Sequence, residues 1–349
     1  MKIFALFLVL FYPVISLSQK SLNNPVPLDY GWKYLGNQGF SLGEVQNTTI
    51  AYNLLDEPYA AFNDYGFSGN ITVKKFCDGN WLNIDTSGIP YSSWGDITLL
   101  FNPVDSLPYI AFPDGSGQAR VMKFNGSSWV HVGQPGFSNG RSDFLNMAFN
   151  SSGEPFVVYQ DSPPSYKFIV RKYDRSNWVY VGQQGSYSEN AYNTDIVVDS
   201  SGVPFVSFKK FGALSVMKFN GTDWVYVGSS GFLQAQVYDP ILSLNPSGQP
   251  VIAFKDGDIM HAPYGKASVM KFNGTDWINI GPRGFSAGEI DWLSMIIGSS
   301  GQPCVVFSDW ANSLKATVME YDGNSWKNVG PPGFSESWAG YTRIARNSS

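Results

Sequence analysis

A short motif returns along this chain at an almost fixed step, and this repeat constrains the fold more than any single residue does. It reads VMKFNGSSWVHVG at 121–133, VMKFNGTDWVYVG at 216–228 and VMKFNGTDWINIG at 269–281. The tryptophans that mark complete and degenerate copies are spaced by 49, 48, 49, 46, 53 and 49 residues: Trp32, Trp81, Trp129, Trp178, Trp224, Trp277 and Trp326. A constant period of this length indicates stacked structural units that bury their apolar faces against one another.

One unit reads as four short strands. Residues 144–181 contain the runs FLNMAFN, PFVVYQD, KFIVRKY and WVYVG, separated by turns rich in Gly, Pro, Asn and Ser. The second run is apolar on both faces, because Phe156 and Val158 alternate with Val157 and Tyr159. Sheets stacked face to face around an axis bury both faces, whereas a sandwich explains neither this pattern nor the repeat. The sequence therefore predicts an all-β chain, a β-propeller of four-stranded antiparallel blades.

Counting units predicts six complete blades that begin near residues 47, 96, 144, 194, 240 and 292. Two fragments remain, a lone outer strand at 31–36 and the start of an inner strand at 341–349. They predict a split, incomplete seventh blade, and we expect the natural array to continue past Ser349. The predicted organisation is a signal peptide at 1–18, an N-terminal extension at 19–30 and a propeller at 31–349.

The N-terminus predicts export. Lys2 precedes an apolar run at 3–17, and Ser16-Leu17-Ser18 offers small residues for cleavage. The run is short for a bilayer and contains Pro13, so no membrane span is expected in the mature chain, which should be secreted or on the cell surface. A net charge of −5 without a basic cluster excludes a nucleic-acid partner.

Two sets of residues are candidate ligand contacts on the face where the strand connections lead into the inner strands. An aspartate recurs at the end of the second strand, and an aromatic residue recurs at the entry of the first strand. The predicted ligand-binding residues are Asp64, Asp114, Asp161, Asp256, Asp309, Trp94, Phe144, Tyr192, Tyr238 and Trp292. Aromatic faces beside carboxylates suit carbohydrate, although an aspartate that only caps its own loop is the simpler interpretation.

Little in the sequence indicates catalysis. The two histidines, His131 and His261, lie in different units and form no arrangement with a serine nucleophile. The insertion that carries Asp256, Asp258 and His261 lacks a fourth ligand, so neither a metal nor a cofactor is predicted. We expect a non-enzymatic propeller that binds carbohydrate or protein ligands. The alternatives are a carbohydrate-active hydrolase or lyase that uses the aspartates, and a structural spacer of a larger surface protein.

The repeat also resembles known propeller families. It is similar to kelch-type repeats in the aromatic-Asn/Asp segment before the outer-strand Trp, but it lacks their double glycine. The turn at 322–326 resembles the sialidase Asp-box, with one residue fewer and no preceding Ser. The strongest resemblance, over nearly the whole mature chain, is to exported bacterial propeller arrays with VMKFNGTSW-like units. Those arrays share no single activity, so the resemblance implies the architecture alone.

Overall fold

In the computed structural model, six antiparallel four-stranded sheets are arranged in a ring and form a six-bladed β-propeller. The structure describes the backbone of residues 8–11 and, with side chains, residues 32–37, 39–90, 95–161, 166–183, 191–257 and 265–347. These residues contain no α-helix, only two short 3₁₀ turns at Tyr65–Phe67 and Trp310–Asn312. The all-β prediction and its six complete blades are confirmed.

Each blade is a meander whose strands follow one another from the channel outward. After β1 (Leu8–Phe11), blade 1 comprises β2 (Val45–Tyr52), β3 (Pro58–Asp64), β4 (Asn70–Cys77) and β5 (Asn80–Asn83). Blade 2 comprises β6 (Thr98–Phe101), β7 (Pro108–Pro113), β8 (Ala119–Phe124) and β9 (Trp129–His131), and blade 3 comprises β10 (Asp143–Phe149), β11 (Pro155–Gln160), β12 (Phe168–Tyr173) and β13 (Trp178–Tyr180).

The second half of the ring repeats this order. Blade 4 comprises β14 (Tyr192–Val198), β15 (Pro204–Lys210), β16 (Ala213–Phe219) and β17 (Trp224–Tyr226), with β18 (Leu233–Gln234) added to β16. Blade 5 comprises β19 (Val237–Leu244), β20 (Pro250–Asp256), β21 (Lys266–Phe272) and β22 (Trp277–Asn279). Blade 6 comprises β23 (Ile290–Ile297), β24 (Pro303–Asp309), β25 (Lys315–Tyr321) and β26 (Trp326–Asn328), and β27 (Arg343–Arg346) follows it.

The split seventh blade is not confirmed. β27 lies between the inner strands of blades 6 and 1, but its partner is β1, and the two pair in parallel, unlike the strands of a blade. Residues 32–36, predicted as an outer strand, form no strand, because the described residues provide no neighbouring strand for them to pair with. Trp32 nevertheless takes the position of an outer-strand tryptophan, with its indole Nε1 donating to the carbonyl of Val329 at 3.1 Å.

The tryptophans of the repeat join successive units. An indole N–H donates to a backbone carbonyl one repeat earlier, as from Trp178 to Val132 at 2.8 Å. The same bond recurs at Trp81, Trp224, Trp277 and Trp326. The second strands are completely buried in blades 1, 2, 3 and 6, so both sheet faces exclude water as the sequence pattern indicates. The apolar core is therefore a series of layers between blades.

Candidate functional site

The site is built on an irregularity at the entry of the inner strands. The pairing of the first and second strands shifts in five blades, for example between Asp143 and Asn146 in blade 3. The first bulged residue takes a left-handed backbone conformation without being glycine: Asn47, Phe144, Asn193, Asp239 and Trp292, with φ values of 50°, 54°, 52°, 49° and 49°. Such bulges redirect a side chain and persist only where the surroundings hold them.

Threonine hydroxyls hold several of these bulges. Thr194 Oγ1 donates to the carbonyl of Phe144 in the preceding blade at 2.9 Å. Thr48 makes the equivalent bond to the carbonyl of Tyr341 at 2.6 Å, and Thr342 donates to that of Trp292. Each of these hydroxyls fixes a left-handed residue of the neighbouring unit, so the positions of the bulged side chains are set by blade-to-blade contacts.

The bulges of blades 1 and 3 face a cavity of about 810 Å³ at the mouth of the central channel. We call it the mouth cavity. Its lining combines aromatic rings with amide, carboxylate and guanidinium groups: Gln46, Asn47, Tyr65, Ser68, Gly69, Gly95, Asp96, Arg141, Asp143, Phe144, Gln160, Tyr166, Tyr192 and Tyr341. Tyr192 lies between two other rings, with its centroid 6.5 Å from that of Phe144 and 6.3 Å from that of Tyr166.

Charges of both signs line the mouth cavity. Arg141 Nε donates to Asp143 Oδ1 at 2.6 Å, so the guanidinium is oriented by a carboxylate on the same wall. Burial raises the pKa of Tyr341 above its ordinary value, and the nearby Tyr65, Glu44 and Asp96 act in the same direction. The cavity therefore offers hydrogen-bond donors and acceptors beside ring faces, the combination that polar, ring-shaped ligands require.

The inner strands that surround the central channel carry polar side chains joined by hydrogen bonds. Asp195 is partly buried and accepts bonds from the Asn146 side chain and from the backbone N–H groups of Ile196 and Leu242. Burial raises its pKa to about 6 despite these donors.

The structure brings two of the five predicted aromatic residues into the mouth cavity, Phe144 and Tyr192. Trp292 packs on Tyr341 at 5.6 Å and on Trp338 at 5.3 Å, beside the cavity. Tyr238 lies under the ammonium groups of Lys209 at 5.0 Å and Lys255 at 5.8 Å. Trp94 lies outside the described residues.

The variable register of these aromatic residues has a structural cause. Phe144 and Trp292 are themselves the bulged residues, whereas Tyr192 and Tyr238 lie one residue before a bulge. Both positions face the channel mouth, so an aromatic ring at either of them reaches the same face of the propeller.

The predicted aspartates lie at the end of the second strand or directly after it, and four of them are buried. Asp64 accepts bonds from the N–H groups of Leu42 and Gly66, and Asp309 from the N–H of Ala311 and the Thr317 hydroxyl. Both carboxylates therefore stabilise the adjacent loops by accepting hydrogen bonds from their backbone N–H groups. A ligand role for the aspartates stays a prediction.

The other three aspartates differ in their surroundings. Asp256 is wholly buried and forms a two-point ion pair with Arg283, at 2.7 and 2.8 Å. Asp114 binds Arg120 Nε at 2.7 Å. Asp161 is half-buried, and its backbone N–H donates to the carbonyl of Lys167.

Several residues that line the mouth cavity were not predicted from the sequence. Asp96, Arg141 and Asp143 precede or enter inner strands, but their charges vary from unit to unit, so no repeat pattern marks them. Tyr65 and Tyr166 come from connections between the second and third strands, whose lengths differ between blades. The unit-to-unit variation at these positions was itself the available signal, because residues needed only for stacking are repeated.

The described residues contain no group of three or more His, Cys, Asp or Glu side chains placed to hold a metal ion. The insertion residues Asp258 and His261 lie outside them. Within the same part of the chain, no helix has the length and apolar character to cross a membrane. The thiols of Cys77 and Cys304 are free.

Searches against family models and curated proteins return no match to the chain. Solved structures share its fold at low identity. A lectin of Aleuria aurantia in complex with Fucα1-6GlcNAc is 13% identical with a TM-score of 0.55, over 84% of this chain and 97% of the lectin. A polysaccharide lyase, ulvan lyase, is 12% identical with a TM-score of 0.55, over 83% of this chain and 85% of the lyase.

A third structure of the same fold has an unrelated activity. A puromycin-hydrolysing peptidase of Mycobacterium tuberculosis is 10% identical with a TM-score of 0.55, over 87% of this chain and 49% of the peptidase. Lectin, lyase and peptidase thus share this architecture, and at these identities the likeness shows the fold alone.

Proposed function

We propose that the protein is an exported, non-enzymatic propeller that binds a glycan in the mouth cavity. The observation that carries this proposal is the group of three aromatic rings, Phe144, Tyr166 and Tyr192, beside the Arg141–Asp143 pair. A sugar presents an apolar ring face and several hydroxyls. Aromatic faces contact the first, and charged donors and acceptors bind the second.

The dimensions of the mouth cavity favour a glycan over a protein ligand. Small-molecule sites have volumes of roughly 300–1,000 Å³, and the mouth cavity, at about 810 Å³, lies within this range. A stable protein partner would instead need an extended surface of about 800 Å² on each side. The lectin and lyase that share the fold are consistent with carbohydrate as the ligand class, although their identities are too low to transfer it.

Export is part of the same proposal and rests on the apolar run at 3–17 behind Lys2. We further propose that the repeats are of the kind found in exported bacterial propeller arrays. A glycan-binding role is compatible with either a secreted or a cell-surface location.

A glycan array probed with the wild type and with Tyr192→Ala tests the proposal. We expect binding to a restricted set of glycans. Tyr192→Ala should lose about tenfold or more in affinity, since the stacking of a ligand ring on an aromatic side chain contributes on the order of 1–3 kcal/mol, the magnitude known for nucleic-acid bases. Tyr226→Ala is the matched control, because Tyr226 belongs to the same blade and lies on its outer strand. No binding to any glycan would refute the proposal, and depolymerisation of a bound polysaccharide would favour the lyase or hydrolase alternative.

A further inference from the structure

The interface between blades 1 and 2 lacks an aromatic stack that recurs at four other interfaces of the described residues. In five pairs a phenylalanine eight residues after one tryptophan stacks on the next tryptophan around the ring, with centroids 3.8 to 4.8 Å apart: Phe40–Trp81, Phe137–Trp178, Phe232–Trp277, Phe285–Trp326 and Phe334–Trp32. Between blades 1 and 2 the corresponding residue is Ile89, which belongs to the same apolar cluster as Trp129. Trp129 also makes no indole-to-carbonyl bond within the described residues. A smaller side chain thus replaces the aromatic stack here. Between blades 3 and 4 the corresponding residue, Ser186, lies outside the described residues.

A cleft of about 500 Å³ lies at this interface. Ile89, Phe112 and Met122 form its apolar wall, and Asp114, Arg120 and His131 supply its polar groups. None of its lining residues lines the mouth cavity. We call it the side cleft.

Two polar residues of the side cleft depart from the repeat. The position of Arg120 is otherwise filled by Thr72, Ile169, Ser215, Ser268 and Thr317, and that of His131 by tyrosine or asparagine. In blade 5, the equivalent Ser268 hydroxyl donates to Asp256 and accepts a bond from the N–H of Gly284. A small hydroxyl side chain at the position of Arg120 is therefore sufficient for the stacking of blades. Residues of one unit that differ without a packing reason, and that meet in one cleft, indicate a function specific to that unit.

The side chains are arranged to present a cation. Asp114 Oδ1 accepts bonds from the N–H groups of Ser116 and Gln118, and its Oδ2 accepts one from Arg120 Nε at 2.7 Å. This contact orients the guanidinium through one of its five N–H donors. The other four N–H donors, on the two Nη groups, can bind a ligand. The structure records no protein acceptor for these groups among the described residues. His131 lies close enough to Arg120 that burial and the guanidinium charge both lower its pKa.

We propose that the side cleft binds the carboxylate group of a small ligand, in a site separate from the mouth cavity. A planar carboxylate matches the fork of the two Nη groups of Arg120, which favours it over a neutral hydroxyl. His131 at the rim donates a further hydrogen bond, and the wall of Ile89 and Met122 contacts the ligand's carbon skeleton. A simple acid and a uronic sugar both present this carboxylate to the guanidinium.

Nuclear magnetic resonance of the His131 imidazole tests this inference directly. The chain has only 2 histidines, so a His131→Gln variant assigns the signal. We expect saturable shifts with sodium acetate or with D-glucuronate, and none with D-glucose. Equal responses to both acids identify the bare carboxylate as sufficient, and a larger response to glucuronate identifies an acidic sugar. No shift with either acid, or an equal response to glucose, would overturn the proposal.

Two variants that restore the repeat separate binding from folding. Arg120→Ser introduces the residue found at 215 and 268, and Ile89→Phe introduces the aromatic residue of the five stacked pairs. Both should fold, with a melting temperature for Arg120→Ser only a few degrees lower, because Asp114 loses its ion pair but keeps the N–H bonds of Ser116 and Gln118. Both should weaken carboxylate binding by about tenfold or more. Lys123→Ser is the matched control on the same strand, because Lys123 contacts Asp105 outside the cleft. Unchanged binding in Arg120→Ser would contradict the inference, whereas retained binding in Tyr192→Ala would show that the two sites are independent.

Discussion

Asn146 and Asp195 are joined between the inner strands of the neighbouring blades 3 and 4, where Asn146 Nδ2 donates to Asp195 Oδ1 at 2.6 Å. The two residues occupy one position of successive repeats, 49 residues apart. Thr98 Oγ1 extends the connection by donating to Asn146 Oδ1 at 2.8 Å, and Asp195 Oδ2 accepts the N–H of Leu242 at 2.8 Å. Blades 2 to 5 are thus linked at the channel by side chains, in addition to their apolar layers.

The stability of this linkage should depend on pH. Burial raises the pKa of Asp195 from 3.8 to about 6, so the folded protein holds this proton more tightly than the unfolded chain does. The stabilising contribution is complete below about pH 4 and is lost as the pH rises through 6, by up to about 3 kcal/mol. Asp195→Asn should remove this slope. Urea unfolding of both proteins between about pH 4 and pH 7 measures it, and parallel pH profiles for the two would contradict the assignment.

The stacked tryptophans should dominate the cohesion between blades. Trp178 is almost completely buried, stacks on Phe137 at 4.3 Å and donates to the carbonyl of Val132. Trp178→Ala should lower the free energy of unfolding by about 3–5 kcal/mol, because it leaves a cavity and an unpaired carbonyl. Phe211→Ala, at a ring that is 79% exposed, is the control and should change stability by less than about 0.5 kcal/mol. Similar effects of the two substitutions in denaturant titrations would be inconsistent with the layered core.

The bulge at Phe144 should depend on the hydroxyl of the next blade. Thr194→Val removes the donor to the Phe144 carbonyl and should cost about 1 kcal/mol in stability. Because Phe144 lines the mouth cavity with φ of 54°, the same change should weaken glycan binding more than it weakens the fold. Calorimetric titration of wild type and variant measures this, with Thr86→Val, at an exposed position, as control. An unchanged affinity would show that the hydroxyl does not hold the site.

The sequence predicted the blades because stacking needs the same residues in every unit. The period of the tryptophans and the two-sided apolar strands depend on contacts that recur six times. The inner-strand bulge was not predictable in this way, since Asn47, Phe144, Asp239 and Trp292 share no side-chain chemistry that indicates a left-handed backbone. Only the variable register of the aromatic residues, by one or two positions between repeats, indicated the bulge.

The repeated aspartates illustrate the opposite case. Asp64 and Asp309 recur because the loop after the second strand needs a carboxylate to accept its N–H groups, which a single sequence cannot distinguish from a ligand role. The seventh blade was inferred from fragments that match a blade locally. Strand pairing is a long-range property, and the described residues pair β27 with β1 instead.

A crystal structure of the protein soaked with the tightest glycan from the array tests the central claim most directly. We predict a saccharide in the mouth cavity, with one ring against Tyr192 or Phe144 and hydroxyls hydrogen-bonded to Arg141 or Asp143. A saccharide bound only on the outer circumference of the propeller, with the mouth cavity empty, would contradict the account.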